Sequence, residues 1–153
     1  MEIQEEKDLI MVKFSEGHII TNLSSLMDDN CFDSALVISG IGMLKNTTIG
    51  YFNGKNYVKE HIKDPVELVS LQGNIARLQE SNEVVCHLHA AVADQNHQLK
   101  GGHLMDGEAT VVNEIALKKL DGIKIRRKKN KMGLLEMTLH KNIQRDNTNQ
   151  ERN

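Results

Sequence analysis

The sequence predicts a single α+β domain built on a central, antiparallel-rich mixed sheet with one or two short helices. Three observations lead there. Short runs rich in Val, Ile and Thr recur between turn signals, and only one early segment carries clear helical spacing. The chain has 153 residues, a length at which one core is the norm, and it holds no internal repeat or linker. With 3 Phe, 2 Tyr and no Trp, that core has to come from Ile, Leu, Val and the 7 Met. It therefore packs by aliphatic interdigitation rather than on aromatic anchors.

Taken in order, "LIMVKFSEGHII" reads as a strand, a turn and a strand end. A short helix follows in "TNLSSLMDDNCF", where Thr21 or Asn22 can cap and Leu23, Leu26 and Met27 share a face. "ALVISGIGML" is a strand that Gly40 and Gly42 carry into a tight turn or bulge. "TTIGYF" and "NYVKEHI" form a hairpin around Asn53-Gly54, which supplies the positive φ angles of a two-residue turn. Pro65 restrains Asp64 to extended backbone just ahead of "VELVSLQGNIARL", a strand broken at Gly73-Asn74.

"EVVCHLHAAVA" and "QLKGGHL" make the next hairpin. "EATVVNEIALKKL" is a further strand whose last turn could be helical, and "GIKIRRKKNKMGLLEMTL" is a final strand pair around a basic tip. The folded domain is expected over residues 9–141, after a lead-in at 1–8 and before a polar, disordered tail at 142–153.

Charge and cysteine content narrow the function classes. A formal net charge of -2 gives no whole-domain basic footprint, so nucleic-acid binding would need a local patch. Cys31 and Cys86 belong to no C-x-x-C motif, which argues against a disulfide framework or zinc ribbon and suits a reducing cytosol. Both read as small core hydrophobes. The start "MEIQEEKD" lacks the basic and apolar regions of a signal peptide, and "ALVISGIGML" is too short to span a bilayer. The sequence reads as a cytoplasmic protein with no membrane partner.

The histidines of "CHLHAAVADQNHQLKGGHL" carry the chemistry. Strand alternation puts His87 and His89 on one face, and a turn centred on Asn96 sets His89 opposite His103. Opposed Cβ atoms lie about 4.5–5.5 Å apart, which imidazole reach and a Zn–N bond of about 2.0–2.1 Å can close around one cation. His97 falls at the loop tip. Gly101-Gly102 either bulges, shifting this register by one, or lets backbone approach closely. Three neutral imidazoles with an open fourth position suit Zn, Fe, Ni or Co. Asp94, Asp106, Glu108 and Glu114 are the carboxylates available to orient those rings, with Glu114 and Asp94 also the candidate catalytic proton carriers. The plainer alternative is a half-exposed sheet face whose histidines bond to water or to one another.

Other motifs exclude more than they support. "GIGMLK" has Lys45 where a dinucleotide fingerprint needs its third glycine, and no βαβ unit follows. There is no G-x-S-x-G, no P-loop and no Cys-His nucleophile, since Cys86 and His87 face opposite ways on a strand. The sequence leans away from an enzyme, with metal-assisted hydrolysis the one chemistry left open. From Lys118 to Lys131 eight basic residues face a single acid, Asp121. Lys124, Arg126, Arg127, Lys128, Lys129 and Lys131 could grip phosphates, or they are a solvated hairpin tip, and no aromatic residue is interleaved for base stacking. Met11, Met27, Met43, Met105, Met132 and Met137 read as core or edge packing.

Together "ISGIGMLKNTTIGYFNGKNY", "ELVSLQGNI", "HLH", "GGHL" followed by Gly107, and Glu114 in a Val-rich strand resemble the PPC (plants-and-prokaryotes-conserved) domain, from about Leu9 to about Lys141. The resemblance implies a compact α+β fold that assembles as a homotrimer. In plants the domain follows AT-hook segments in nuclear DNA-binding proteins, and its stand-alone prokaryotic relatives are often described as DNA-binding. This sequence has no Arg-Gly-Arg-Pro hook. The plant partner-interaction stretch, Gly-Arg-Phe-Glu-Ile-Leu, falls on "DPVELV", where only Glu67 is identical. The prokaryotic histidine pattern does match, at His87, His89 and His103, and implies a divalent transition metal, zinc first.

Overall fold

The computed structural model describes residues 1–29 and 32–142. These form β1 (Glu2–Glu6), β2 (Leu9–Phe14), α1 (Ile19–Asp29), β3 (Ala35–Phe52), β4 (Tyr57–Ile62), β5 (Val66–Leu78), β6 (Val84–Ala93), β7 (Leu99–Lys119), β8 (Ile123–Lys129) and β9 (Leu135–Lys141). All nine strands share one sheet in the order β1-β2-β7-β3-β5-β8-β9, with β4 on β3 and β6 joining β5 to β7. The pairings β3-β5-β6-β7 thus close into a circuit. Every pairing is antiparallel except β5 with β8, which makes the sheet mixed, and there is one helix where one or two were expected.

The core lies between this coiled sheet and α1. Ile19, Leu23, Leu26 and Met27 are fully buried on the helix, against Ile10, Leu71, Leu88, Ile115 and Leu117 of the strands. Each such side chain contributes about 1.5–3 kcal/mol relative to exposure. The helix starts earlier than a cap at Thr21 or Asn22 would put it. Gly17 turns the chain at φ +84°, and the Asn22 N–H already donates to the His18 carbonyl at 2.9 Å. Asn22 instead ties the first turn back, its Nδ2 donating to the Glu16 carbonyl. The apolar stripe simply extends one turn further back, to Ile19.

Of the turn or bulge expected at Gly40 and Gly42, the strand makes the bulge: β3 runs through both glycines, with a register shift between Gly42 and Leu44. β5 runs unbroken through Gly73, and β7 fuses two expected strands into one, extended to its last residue. These strands are paired on both sides, so glycine serves close approach of neighbouring backbone instead of chain reversal. The β3–β4 loop also differs from a two-residue turn: it spans Asn53 to Asn56, only Gly54 has positive φ, and Asn53 Oδ1 accepts from the N–H groups of Lys55 and Asn56. An Asx turn replaces the second positive φ. Residues 2–6, in the expected lead-in, carry β1. Cys31 and residues 143–153 of the expected tail lie outside the described residues.

Gly73 sits at φ +149°, and a Cβ there would overlap the His87 carbonyl oxygen across the strand pair; at Gly54, φ +93°, a Cβ meets open space. Gly73→Ala should therefore destabilise by about 2 kcal/mol or more, and Gly54→Ala by about 1 kcal/mol. Denaturant midpoints of the two variants check this, and equal losses would contradict it.

Candidate metal centre

The β6–β7 hairpin keeps the register read from its sequence. His89 pairs with His103, Ala90 with Gly102 and Ala91 with Gly101, without a bulge at the glycine pair. Gly101 and Gly102 serve close approach: a Cβ would come within 3.0 Å of the Ala90 carbonyl oxygen at the first and 2.8 Å of the Gly50 carbonyl oxygen at the second. At this point β7 is gripped from both sides, because His103 pairs with His89 of β6 and with Gly50 of β3. Leu88 and Leu104 point into the core, so alternation turns His87, His89 and His103 to the opposite face.

The three rings converge. One nitrogen from each lies within 4.8 Å of the other two, a spacing that could hold a metal ion. His87 and His89 stack at 16° with centroids 5.4 Å apart and their Nε2 atoms 3.3 Å apart, while His103 meets both edge-on at 5.1 and 5.5 Å. His97 sits apart in the exposed loop at φ +62°.

Electrostatics disfavour the charged form of two of the rings. Burial, reinforced by Arg127 and by the two neighbouring imidazoles, lowers His87 from 6.5 to about 4, and burial with His89 and Arg127 lowers His103 as well. Neutral imidazole is the ligating form. His103 Nδ1 is buried without a hydrogen-bond partner among the described residues.

The carboxylates expected around the site are elsewhere in the chain. Asp94 follows β6 and its Oδ1 accepts from the Asn96 and Gln98 N–H groups, fixing the loop. Asp106 bonds His18 at 2.6 Å, Glu108 engages Asn46 and Lys45, and Glu114 pairs with Lys13 and Ile41 far along β7. Nearness in sequence, which suggested them, does not bring them to the cluster. Instead the Tyr57 ring lies 5.2 Å from His103, with Phe52 5.4 Å behind it. Gly50 makes the room, since a Cβ there would press on Met105 and Tyr57.

The basic segment divides by the same alternation. Lys124 and Arg126 both reach Asp33, at 2.9 and 3.4 Å, and Lys128, Lys129 and Lys131 are exposed. Arg127 turns inward and is 3% exposed. Its Nη2 donates to Asn74 Oδ1 and its Nη1 to the Leu135 carbonyl, both at 2.8 Å, and Asn74 is the cross-strand partner of His87. Arg127, Asn74 and Tyr57 are thus parts of the site that sequence reasoning missed; the parity of β8, with buried Ile125 two residues earlier, was the available signal for Arg127.

The molecule is thus a sheet-rich α+β domain that presents three convergent imidazoles, spaced so that they could hold a metal ion, on the face opposite its helix. The chain belongs to the Plants and Prokaryotes Conserved (PCC, also PPC) domain family, whose model matches residues 1–121. Among solved structures it is similar to a PPC protein of Pyrococcus horikoshii, with 31% identity, 88% of this chain and 91% of that one covered, and a TM-score of 0.76. A metal-containing protein of Archaeoglobus fulgidus matches at 23% identity, covering 90% and 96%, with a TM-score of 0.75. A candidate DNA-binding protein of Bacteroides thetaiotaomicron matches at 22% over the same shares, with a TM-score of 0.80. No curated protein matches the chain.

The lowered His87 value has a consequence for stability. An unfolded His87 takes its proton near 6.5 and the folded one only near 4, so between these values the unfolded chain binds more protons and stability falls with pH. Below about 4 this group adds no further loss. The metal-free chain should lose stability relative to His87→Gln as pH drops from 6.5 to 4, read as diverging denaturation midpoints; parallel midpoints would count against it.

Proposed function

We propose that this PPC-domain protein holds a divalent transition metal, zinc first, on His87, His89 and His103, and that the site serves ligand binding. The observation that carries the reading is the convergence of three imidazole nitrogens within 4.8 Å, with His87 and His103 held toward the neutral form by their burial. The residues fit such an ion: the His87 and His89 Nε2 atoms lie 3.3 Å apart, a separation that suits two ligands each about 2.0–2.1 Å from one zinc. A metal bound there would act as a Lewis acid toward an oxygen ligand. Binding is favoured over metal-assisted hydrolysis, because neither Asp94 nor Glu114 reaches the cluster within a protomer. The archaeal neighbour described as metal-containing supports the same reading.

Elemental analysis of untagged protein should find about one metal per chain, and His103→Ala should weaken zinc binding at least about a hundredfold while leaving the fold intact. Native protein that neither carries nor takes up a transition metal would overturn the proposal.

A homotrimer in the cytoplasm is part of this reading. Leu36, Ile38, Ile41, Val69 and Val111 are exposed on strands whose alternate residues fill the core, an apolar face that further copies of the chain would cover. No helix among the described residues is long and apolar enough to cross a membrane. A DNA-binding regulatory role is the second reading, favoured by the exposed Lys128, Lys129 and Lys131, which a trimer would present three times over, and by the neighbours described as candidate DNA-binding proteins. Sedimentation of the protein alone should give the mass of three chains, and a monomer would remove the assembly. With a DNA duplex added, co-sedimentation at 50 mM salt that is lost by about 200 mM would support the DNA reading, and none at low salt removes it.

A further inference from the structure

Between the histidine cluster and the β8–β9 hairpin lies a cavity of about 720 Å³. One wall is His87, His103 and Asn74; the facing wall is the hairpin, which lies beyond the residues that the family model matches. Arg127, in the hairpin wall, is a buried guanidinium with neutral partners only, the Leu135 carbonyl and Asn74 Oδ1, and its Nε has no acceptor. Among the described residues no carboxylate pairs with it. Lys129 and Glu136 also line the cavity and offset each other in charge, which leaves the guanidinium uncompensated. A buried cation without a counter-charge is costly, and an anion in the adjoining space offsets that cost. Leu134, Leu135 and Met137 make the rest of the hairpin wall apolar.

We infer that this cavity seats a small organic carboxylate, its anionic end between Arg127 and the His87 and His103 imidazoles and its apolar body against Leu134, Leu135 and Met137. The metal end of this arrangement rests on the proposed metal site; the Arg127 end does not. Binding involves no covalent step. The cavity is of the size that encloses small-molecule ligands, and it combines an apolar wall with few charged groups, as such sites do. Arg127 acts at the site, not as a phosphate contact of an outer basic surface.

Calorimetric titration of the full chain, zinc-loaded and metal-free, with hexanoate, hexanamide and inorganic phosphate tests the inference. Hexanoate should bind the zinc-loaded protein at least about tenfold more tightly than the neutral amide, and Arg127→Gln should lose at least about tenfold in hexanoate affinity while keeping its zinc. Equal binding of hexanoate and hexanamide overturns the inference, as does phosphate binding tighter than hexanoate or an Arg127→Gln protein that binds hexanoate normally. If that variant does not fold, the acid-against-amide comparison on the native chain decides alone. A chain that takes up no zinc yet prefers hexanoate to hexanamide upholds the anion site and sinks the metal site. Zinc uptake without that preference does the reverse.

Discussion

The point where β7 passes from β6 to β3 governs the rest of the molecule. There a single strand is hydrogen-bonded on both flanks, with His103 opposite His89 on one side and opposite Gly50 on the other. Gly101, Gly102 and, across the next pairing, Gly73 leave out side chains that would meet neighbouring backbone, and Gly50 leaves room for Tyr57 and Met105. The same closure fixes the register absolutely. A slip of one residue would send Leu88 and Leu104 to solvent and the histidines into the core, at a cost of several buried aliphatic side chains.

Much of this was legible because a strand has a period of two. The side of the sheet on which the histidines lie, the His89–His103 pairing and the separation of His97 all follow from alternation and one turn centre. Distance along a strand is where that reasoning fails. Glu114 has a plausible residue type near His103 in sequence, but β7 stays extended throughout, so every added residue carries it about 3.4 Å further away. The helix start was misread for a different reason: a glycine at positive φ began the turn before any capping side chain was needed. The strand break assigned to Gly73 failed because contacts distant in sequence, not local propensity, hold that segment extended, whereas at Gly42 the expected bulge is present as a shift of register.

The parity that located the histidines also sorts the basic segment, although composition hides it. Counted as charge, positions 124 to 131 look like one patch. Placed on a strand, they separate into an Asp33-bound pair, an inward guanidinium and an exposed remainder. The inward member and the imidazoles then reinforce each other. A cation beside them helps keep His87 and His103 neutral, and neutral rings leave its charge unanswered. The polarity of the site is therefore set by two segments far apart in sequence, joined through Asn74.

The scarcity of aromatic residues has an optical side. The chain has no Trp and 2 Tyr; Tyr51 is 73% exposed, whereas Tyr57 rests on His103 and on Phe52. Asymmetric near-ultraviolet absorption by tyrosine in this protein therefore arises chiefly from a ring touching the histidine cluster. Gly50, by leaving space for that ring, has given the site its own built-in chromophore.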